Sequence, residues 1–259
     1  MAENTIQKAF DRAANEYDNH AIIQRRVAYQ LAKFIGEPTP QSILEIGCGT
    51  GFLTESILKK FPEAPYFATD IAPSMIEVCR DKLQNFPHLE TFVMDGESLA
   101  LPPYSPQFFD LICSNLAFQW FENLPKSLES LWERTDTLAF TTLVDGTFSE
   151  WDVLCHQAGT SNSIRPFWGG EELAKLCKSL NSDQFTIEIR NEVETFDTPL
   201  DFLKGLKKIG AHAPQQRSLD KNRIRFFRQL MESHAKGTPF SITYKVAYCV
   251  LSRSPLRKI

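Results

Sequence analysis

Residues 42–53, SILEIGCGTGFL, set Gly47, Gly49 and Gly51 at alternate positions between a short apolar run and an amphipathic one. Glycines between a strand and a helix let the backbone turn sharply and approach a ligand closely. A dinucleotide loop, G-x-G-x-x-G, would need its third glycine at position 52, where Phe52 stands. Its loss disfavours a pyrophosphate on the helix N-terminus. Glu45, two residues before the first glycine, would repel a pyrophosphate and suits a cationic or amine-bearing ligand. The spacing therefore points to S-adenosylmethionine.

Two later acids fall in the order such a ligand needs. Asp70 closes the next strand-like run, about twenty residues on, where a carboxylate can accept from both ribose hydroxyls. VMDGESL follows the third run, so Asp95 could accept from the adenine amino group while Met94 packs on its ring. Ile71 and Gly96, which adjoin these acids, join the cofactor-binding set, and Asp70→Ala is expected to weaken binding with little effect on the fold. An Asp closing a strand also serves as a turn or helix cap; it is the three features in one βαβ order that point to the ligand. Asn115, in SNLAFQW, sits at the C-terminal end of the fourth run, where open α/β sheets carry ligands. Together these residues resemble the E-x-G-x-G-x-G loop and acidic partners of class I methyltransferases.

The elements that must position them alternate along the chain. Strands are expected at Ser42–Ile46, Tyr66–Asp70, Leu89–Met94, Phe109–Ser114 and Leu138–Leu143, with helices at Phe52–Lys60, Ser74–Asn85 and Leu124–Glu133. That order gives a parallel sheet covered on both faces. Ser74, with Glu77 three residues on, reads as a capping box. Thr5 to Ile35 reads as one broken helix or two. Beyond Leu143 the pattern loosens, then gives a helix at Glu171–Leu180 and a strand at Phe185–Glu192. Helices at Pro199–Ile209 and Asp220–Ala235 precede a last strand at Phe240–Leu251. The expected fold class is α/β, a Rossmann-like seven-stranded sheet of the class I methyltransferase type with a helical lid inserted before the last strand. The corresponding division is 1–40 as an N-terminal helical cap, 41–195 with 240–259 as the core, and 196–239 as the lid.

Composition is that of a globular protein: 42% hydrophobic and 23% charged over 259 residues. MAENTIQKAF carries Glu3 and Lys8 with no apolar run behind it, and no stretch approaches the length of a spanning helix, so neither a leader nor a membrane is expected. Six cysteines without a C-x-x-C pair argue against zinc and disulfides and for a cytoplasmic protein; no metal is expected. The net charge of −4 does not favour nucleic acid, and the fourth strand is not followed by the N-P-P-[YF] type of loop. Eight cations face one acid between Lys204 and Arg228, a local +7 that is either a solvated face or a docking surface for an acidic partner.

A narrower resemblance runs almost end to end. AFDRAANEYDNHAIIQRRVA, ILEIGCGTG, SNLAFQW, FTTLVDGTF, LKGLKKIGAH and SITYKVAYCVLSR are similar to the malonyl-acyl carrier protein O-methyltransferases of biotin synthesis. One departure is WERTDTLAFTT, which lacks the Pro-Gly-Gly turn usual ahead of the fifth strand. The resemblance implies methyl transfer from S-adenosylmethionine to the free carboxylate of malonyl-acyl carrier protein, leaving S-adenosylhomocysteine. It also gives the basic stretch an acidic partner, through Lys204, Lys208, Arg223 and Arg225. A malonyl carboxylate is already ionised, so no general base is required and alignment should dominate. Candidates to hold it are Tyr17, Arg165, Lys207 and His212, against the plainer roles of helix packing, a surface salt bridge, the docking face and a packing residue. Gln24, about two turns beyond Tyr17, is a further candidate for the cofactor's carboxylate or the substrate. Two other readings stay open: a methyltransferase of another small acid, and a regulatory protein that binds the cofactor without turnover.

Overall fold

The computed structural model describes residues 5–36, 38–157, 164–211 and 237–253. One seven-stranded sheet organises them in the order β3-β2-β1-β4-β5-β7-β6. Its strands are β1 (Ile43–Ile46), β2 (Tyr66–Asp70), β3 (Leu89–Val93), β4 (Phe109–Asn115), β5 (Thr135–Leu143), β6 (Gln184–Phe196) and β7 (Phe240–Ser252). β1 pairs in parallel with both β2 and β4, while β7 runs antiparallel between β5 and β6. The chain order therefore reverses at β1, and a crevice opens there beyond the strands' C-terminal ends.

Period-two alternation decides which face each side chain covers. In β1, Ile43 joins one hydrophobic cluster while Leu44 and Ile46 join the other. Helices α2 (Ile22–Phe34), α3 (Phe52–Lys60), α6 (Ser149–Gln157) and α8 (Pro199–Lys208) fill the first, and α5 (Leu124–Trp132) and α7 (Gly170–Ser179) the second. Helix α4 (Pro73–Lys82) adds Ile76 and Cys79 to the first cluster, and its Met75 packs with Ala13 and Ala14 of α1 (Thr5–His20).

The N-terminal helical stretch divides in two at Ala21, whose φ of −87° and ψ of 52° leave the helical region. Ser74 is not the cap of α4. Pro73 opens that helix after the extended Ala72, and the Ser74 N–H donates to Asp11 Oδ1 from α1 at 2.9 Å. A tertiary contact thus displaces the local capping box. β6 extends four residues beyond its expected end because β7 pairs with it throughout, although it contains Glu192 and Glu194. Helix α6, hidden in the loosened stretch, buries Trp151, Leu154 and Cys155. Helix α8 is capped by the Thr198 hydroxyl, which accepts from the Asp201 N–H at 3.2 Å, and buries Phe202 completely. The helix expected at Asp220–Ala235 lies outside the described residues. Among the described residues, no helix is long and apolar enough to cross a membrane.

Candidate functional site

A cleft of about 260 Å³ lies at the strand ends, lined by Ile46 and Gly47 after β1, Asp70 and Ile71 after β2, Met94 to Glu97 after β3, and Asn115 to Ala117 after β4. Chain reversal places these four junctions side by side. Helix α1 lays Ile6, Phe10 and Tyr17 over the opening. Across from it, Trp120 and Phe121 come from the short 3-10 turn after β4 (Phe118–Trp120) and the residue behind it.

Two glycines are needed for the shape. Gly47 has φ +70°, and a Cβ there would stand 2.5 Å from the Ala117 Cβ. A Cβ on Gly96 would meet Ile46 Cγ2 at 2.4 Å and Phe121 Cζ at 2.9 Å. Either addition would force apart residues that line the cleft. Gly49 and Gly51 do not line it. Gly49 donates its N–H to Asp70 Oδ2 at 2.9 Å, and Gly51 caps α3 in the left-handed region.

Asp70 is placed at the cleft wall with its oxygens already engaged, Oδ2 by Gly49 N–H and Oδ1 by Ala72 N–H, each at 2.9 Å. Only 8% exposed, it is pushed up to about 6 by desolvation, against the pull of those N–H bonds. It therefore fixes the glycine loop to the entry of α4 as well as facing the cleft. Asp95 is exposed and folds back on its own loop, Oδ1 accepting from the Glu97 N–H at 2.9 Å. Glu97 in turn accepts from the N–H groups of Glu122 and Asn123, each at 2.9 Å, which ties the two rims together.

Glu45 is not at the cleft surface. It is fully buried beneath the glycine loop, where Oε2 accepts from the Thr54 hydroxyl at 2.6 Å and the Tyr66 hydroxyl at 2.7 Å. Its Oε1 is buried with no partner among the described residues. Desolvation raises its pKa to about 7, partly offset by the two hydroxyls. An unpaired buried oxygen is costly, and a cationic group in the cleft would offset that cost through the low-dielectric interior. The cradle, the two aspartates at its rim and this carboxylate below it fit a nucleoside carrying positive charge.

The remaining expected residues divide. Tyr17 lines the cleft, its ring centroid 6.2 Å from that of Phe52. Burial first, then the nearby Asp70 and Asp18 carboxylates, hold its phenol well above the ordinary 10, so it is a neutral donor. Gln24 does not line the cleft; its backbone carbonyl accepts from Asn115 Nδ2 at 3.1 Å, and Asn115 Oδ1 accepts from the Thr141 hydroxyl at 2.9 Å. Arg165 also stands outside, donating to the carbonyls of Trp120 at 3.3 Å and Phe121 at 2.8 Å, so it braces the far wall. Lys204, Lys207 and Lys208 are exposed on α8, with Lys204 paired to Asp201 at 2.9 Å. His212, Arg223 and Arg225 lie outside the described residues.

Sequence reasoning missed Phe10, Asp11 and Asp18. The two acids are seven residues apart, two helical turns, and both reach across to the cofactor side. That spacing was the available signal.

Residues 43–135 match the family model described as a methyltransferase domain. The chain is 33% identical to the malonyl-acyl carrier protein O-methyltransferase of Magnetococcus marinus, with 96% of this chain and 92% of that protein covered. It is 35% identical to the biotin biosynthesis bifunctional protein BioCD of Bordetella avium, over 96% of this chain and 52% of that longer protein. Among solved structures, a candidate methyltransferase from Bacillus halodurans shares the fold at TM-score 0.59 and 13% identity, with 87% of this chain and 98% of that one covered.

Proposed function

The chain belongs to the malonyl-acyl carrier protein O-methyltransferases, and we propose that it methylates the free carboxylate of a malonyl group carried on acyl carrier protein, the step that starts a biotin precursor. The observation that carries this reading is the match to proteins of that name over 96% of the chain, which includes the cap and α8 as well as the cofactor cleft.

The cofactor is S-adenosylmethionine, which supplies an electrophilic methyl group when bound. Gly47 and Gly96 would admit it closely, Asp70 and Asp95 would take its ribose and adenine, and Met94 would pack on the ring. Asn115 would face the cofactor from the cleft wall, while Gln24 serves by tying α2 to β4 through its carbonyl rather than by direct contact. Glu45 would complement its charge from below the loop.

A carboxylate ionised at neutral pH needs no proton removed, so the protein's part is to align it and exclude water. Tyr17, kept neutral by its surroundings, donates a hydrogen bond to the carboxylate without pairing a full charge against it. That matters because the acceptor loses charge as the methyl arrives, and a tight ion pair would stabilise the ground state more than the transition state. Arg165 holds the Trp120 wall, while Lys207 and His212 are further candidates to hold the carboxylate. In this reading residues 1–40 would serve as the cap and 196–239 as the lid, and Lys204, Lys208, Arg223 and Arg225 would receive the acidic carrier. Six unpaired thiols suit a reducing cytoplasm.

The test is intact-mass spectrometry of malonyl-acyl carrier protein after incubation with the protein and S-adenosylmethionine, beside acetyl-carrier and malonyl-coenzyme A. One added methyl on the malonyl carrier alone, or faster there than on the coenzyme A thioester, is expected. No mass change on any of the three, with cofactor still bound, overturns the substrate and favours the small-acid or regulatory reading.

A further inference from the structure

We infer that Asp18 is a positioning residue: one carboxylate latches the α1 cap to the glycine loop and to α4, and thereby sets Tyr17 in the cleft. The inference rests on the reading of Tyr17 given above.

Asp18 is out of place by local preference. It lies in the last turn of α1, where the helix dipole disfavours an acid. Its partners account for it. Oδ1 accepts from the Thr50 hydroxyl, in the middle of the glycine loop, and Oδ2 pairs with Lys82 Nζ of α4 at 3.0 Å. Thr50 is 1% exposed, so Asp18 satisfies a hydroxyl that would otherwise be a buried donor without an acceptor. The Asp18 backbone carbonyl accepts from Arg25 of α2 at 2.6 Å. Three elements therefore converge on one residue from segments 7, 32 and 64 positions away.

Consecutive helix positions point about 100° apart. Tyr17 turns into the cofactor cleft while Asp18 faces a separate groove between α2 and α3, open to solvent. Phe52 joins the two sides: its ring lies against Tyr17, with Lys82 Nζ 4.5 Å and the Arg25 guanidinium 4.7 Å from its centroid. Freeing Asp18 would release Lys82 and loosen the last turn of α1, which carries Tyr17, while Asp11 and Phe10 still hold the start of the helix.

Hydrogen exchange of the α1 amides, measured on the full chain with S-adenosylhomocysteine bound, tests the latch in wild type, Asp18→Ala and Lys82→Met. About tenfold faster exchange in Asp18→Ala, with a smaller rise in Lys82→Met, is expected. Turnover on malonyl-acyl carrier protein is then compared in Asp18→Ala, Tyr17→Phe and the double variant. The loss caused by Asp18→Ala should fall on kcat rather than on KM and should vanish in the Tyr17→Phe background. Wild-type exchange in Asp18→Ala overturns the inference, as does an equal kcat loss with and without the Tyr17 hydroxyl. Should wild type methylate no malonyl thioester, the substrate reading fails, and the exchange arm still decides the latch.

Discussion

Phe10 of α1 meets Trp120 of the turn after β4 edge to face, ring centroids 5.6 Å apart and planes at 86°. The contact joins the cap to the opposite wall, so the cleft is roofed by two rings that come from chain segments 110 residues apart. A ring pair of this kind contributes about 0.5–1.5 kcal/mol beyond the area it buries. Phe10→Ala is expected to weaken S-adenosylhomocysteine binding roughly fivefold, measured by calorimetry, with no loss of sheet structure by circular dichroism.

Gly96→Ala places a methyl 2.4 Å from Ile46 and 2.9 Å from Phe121. Forced overpacking of this kind costs about 1–3 kcal/mol. Urea unfolding should show that loss, and cofactor binding should weaken because Ile46 and Phe121, which line the cleft, must shift to admit the methyl. Wild-type affinity in this variant would remove Gly96 from the site.

Asp70 accepts two backbone N–H groups, so Asp70→Ala affects more than a ligand contact. Loss of both acceptors leaves the Gly49 and Ala72 donors unpaired, at about 1–3 kcal/mol for each that water does not reach. The expectation that the fold would be spared is therefore revised. Calorimetry should show weaker cofactor binding, and thermal unfolding a lower midpoint.

Glu45 makes stability depend on pH in a fixed direction. Its folded value is near 7 against an ordinary 4.5. Below 4.5 both folded and unfolded chains hold the proton; as pH rises, the unfolded chain releases it first, so stability falls and the full loss is reached above 7. The cofactor-free protein should lose on the order of 3 kcal/mol relative to Glu45→Gln between these limits. Denaturant unfolding at half-unit pH steps measures the difference. A cationic ligand favours the ionised form, so its binding near pH 6.5 should release a proton, seen as a dependence of binding heat on buffer.

Charge reversal at Lys204, Lys208, Arg223 and Arg225 is expected to raise KM for a carrier-bound substrate about tenfold at low salt, the gap narrowing at high salt. A small malonyl thioester should be unaffected. Equal effects on both substrates would place these residues elsewhere.

The residues that line the cleft at the strand ends were legible because their signals are local. Strand and glycines adjoin directly, the acid closes the next strand, and the register of β1, β2 and β4 brings Gly47, Asp70 and Asn115 to one edge. What escaped depends on contacts distant in sequence. Asp11 replaces the Ser74 capping box from 63 positions away, and Arg165 is drawn to carbonyls 44 and 45 positions away. Glu45 was read as a ligand contact from its charge and its place ahead of the glycines. Only the neighbouring strand supplies Tyr66, whose hydroxyl draws it down into the core. Helix α6 escaped because three apolar contacts on nine residues give too short a period to read.

The break at Ala21 separates two helices with different attachments. Through the Gln24 carbonyl, α2 is bound to Asn115 and so to Thr141, making it part of the sheet's own scaffold. Helix α1 instead meets the cofactor side through Asp11, Asp18 and Phe10, all of them side-chain contacts. Substitutions along α1 can therefore reshape the roof of the cleft while every rung of the ladder between β1, β2 and β4 stays in place.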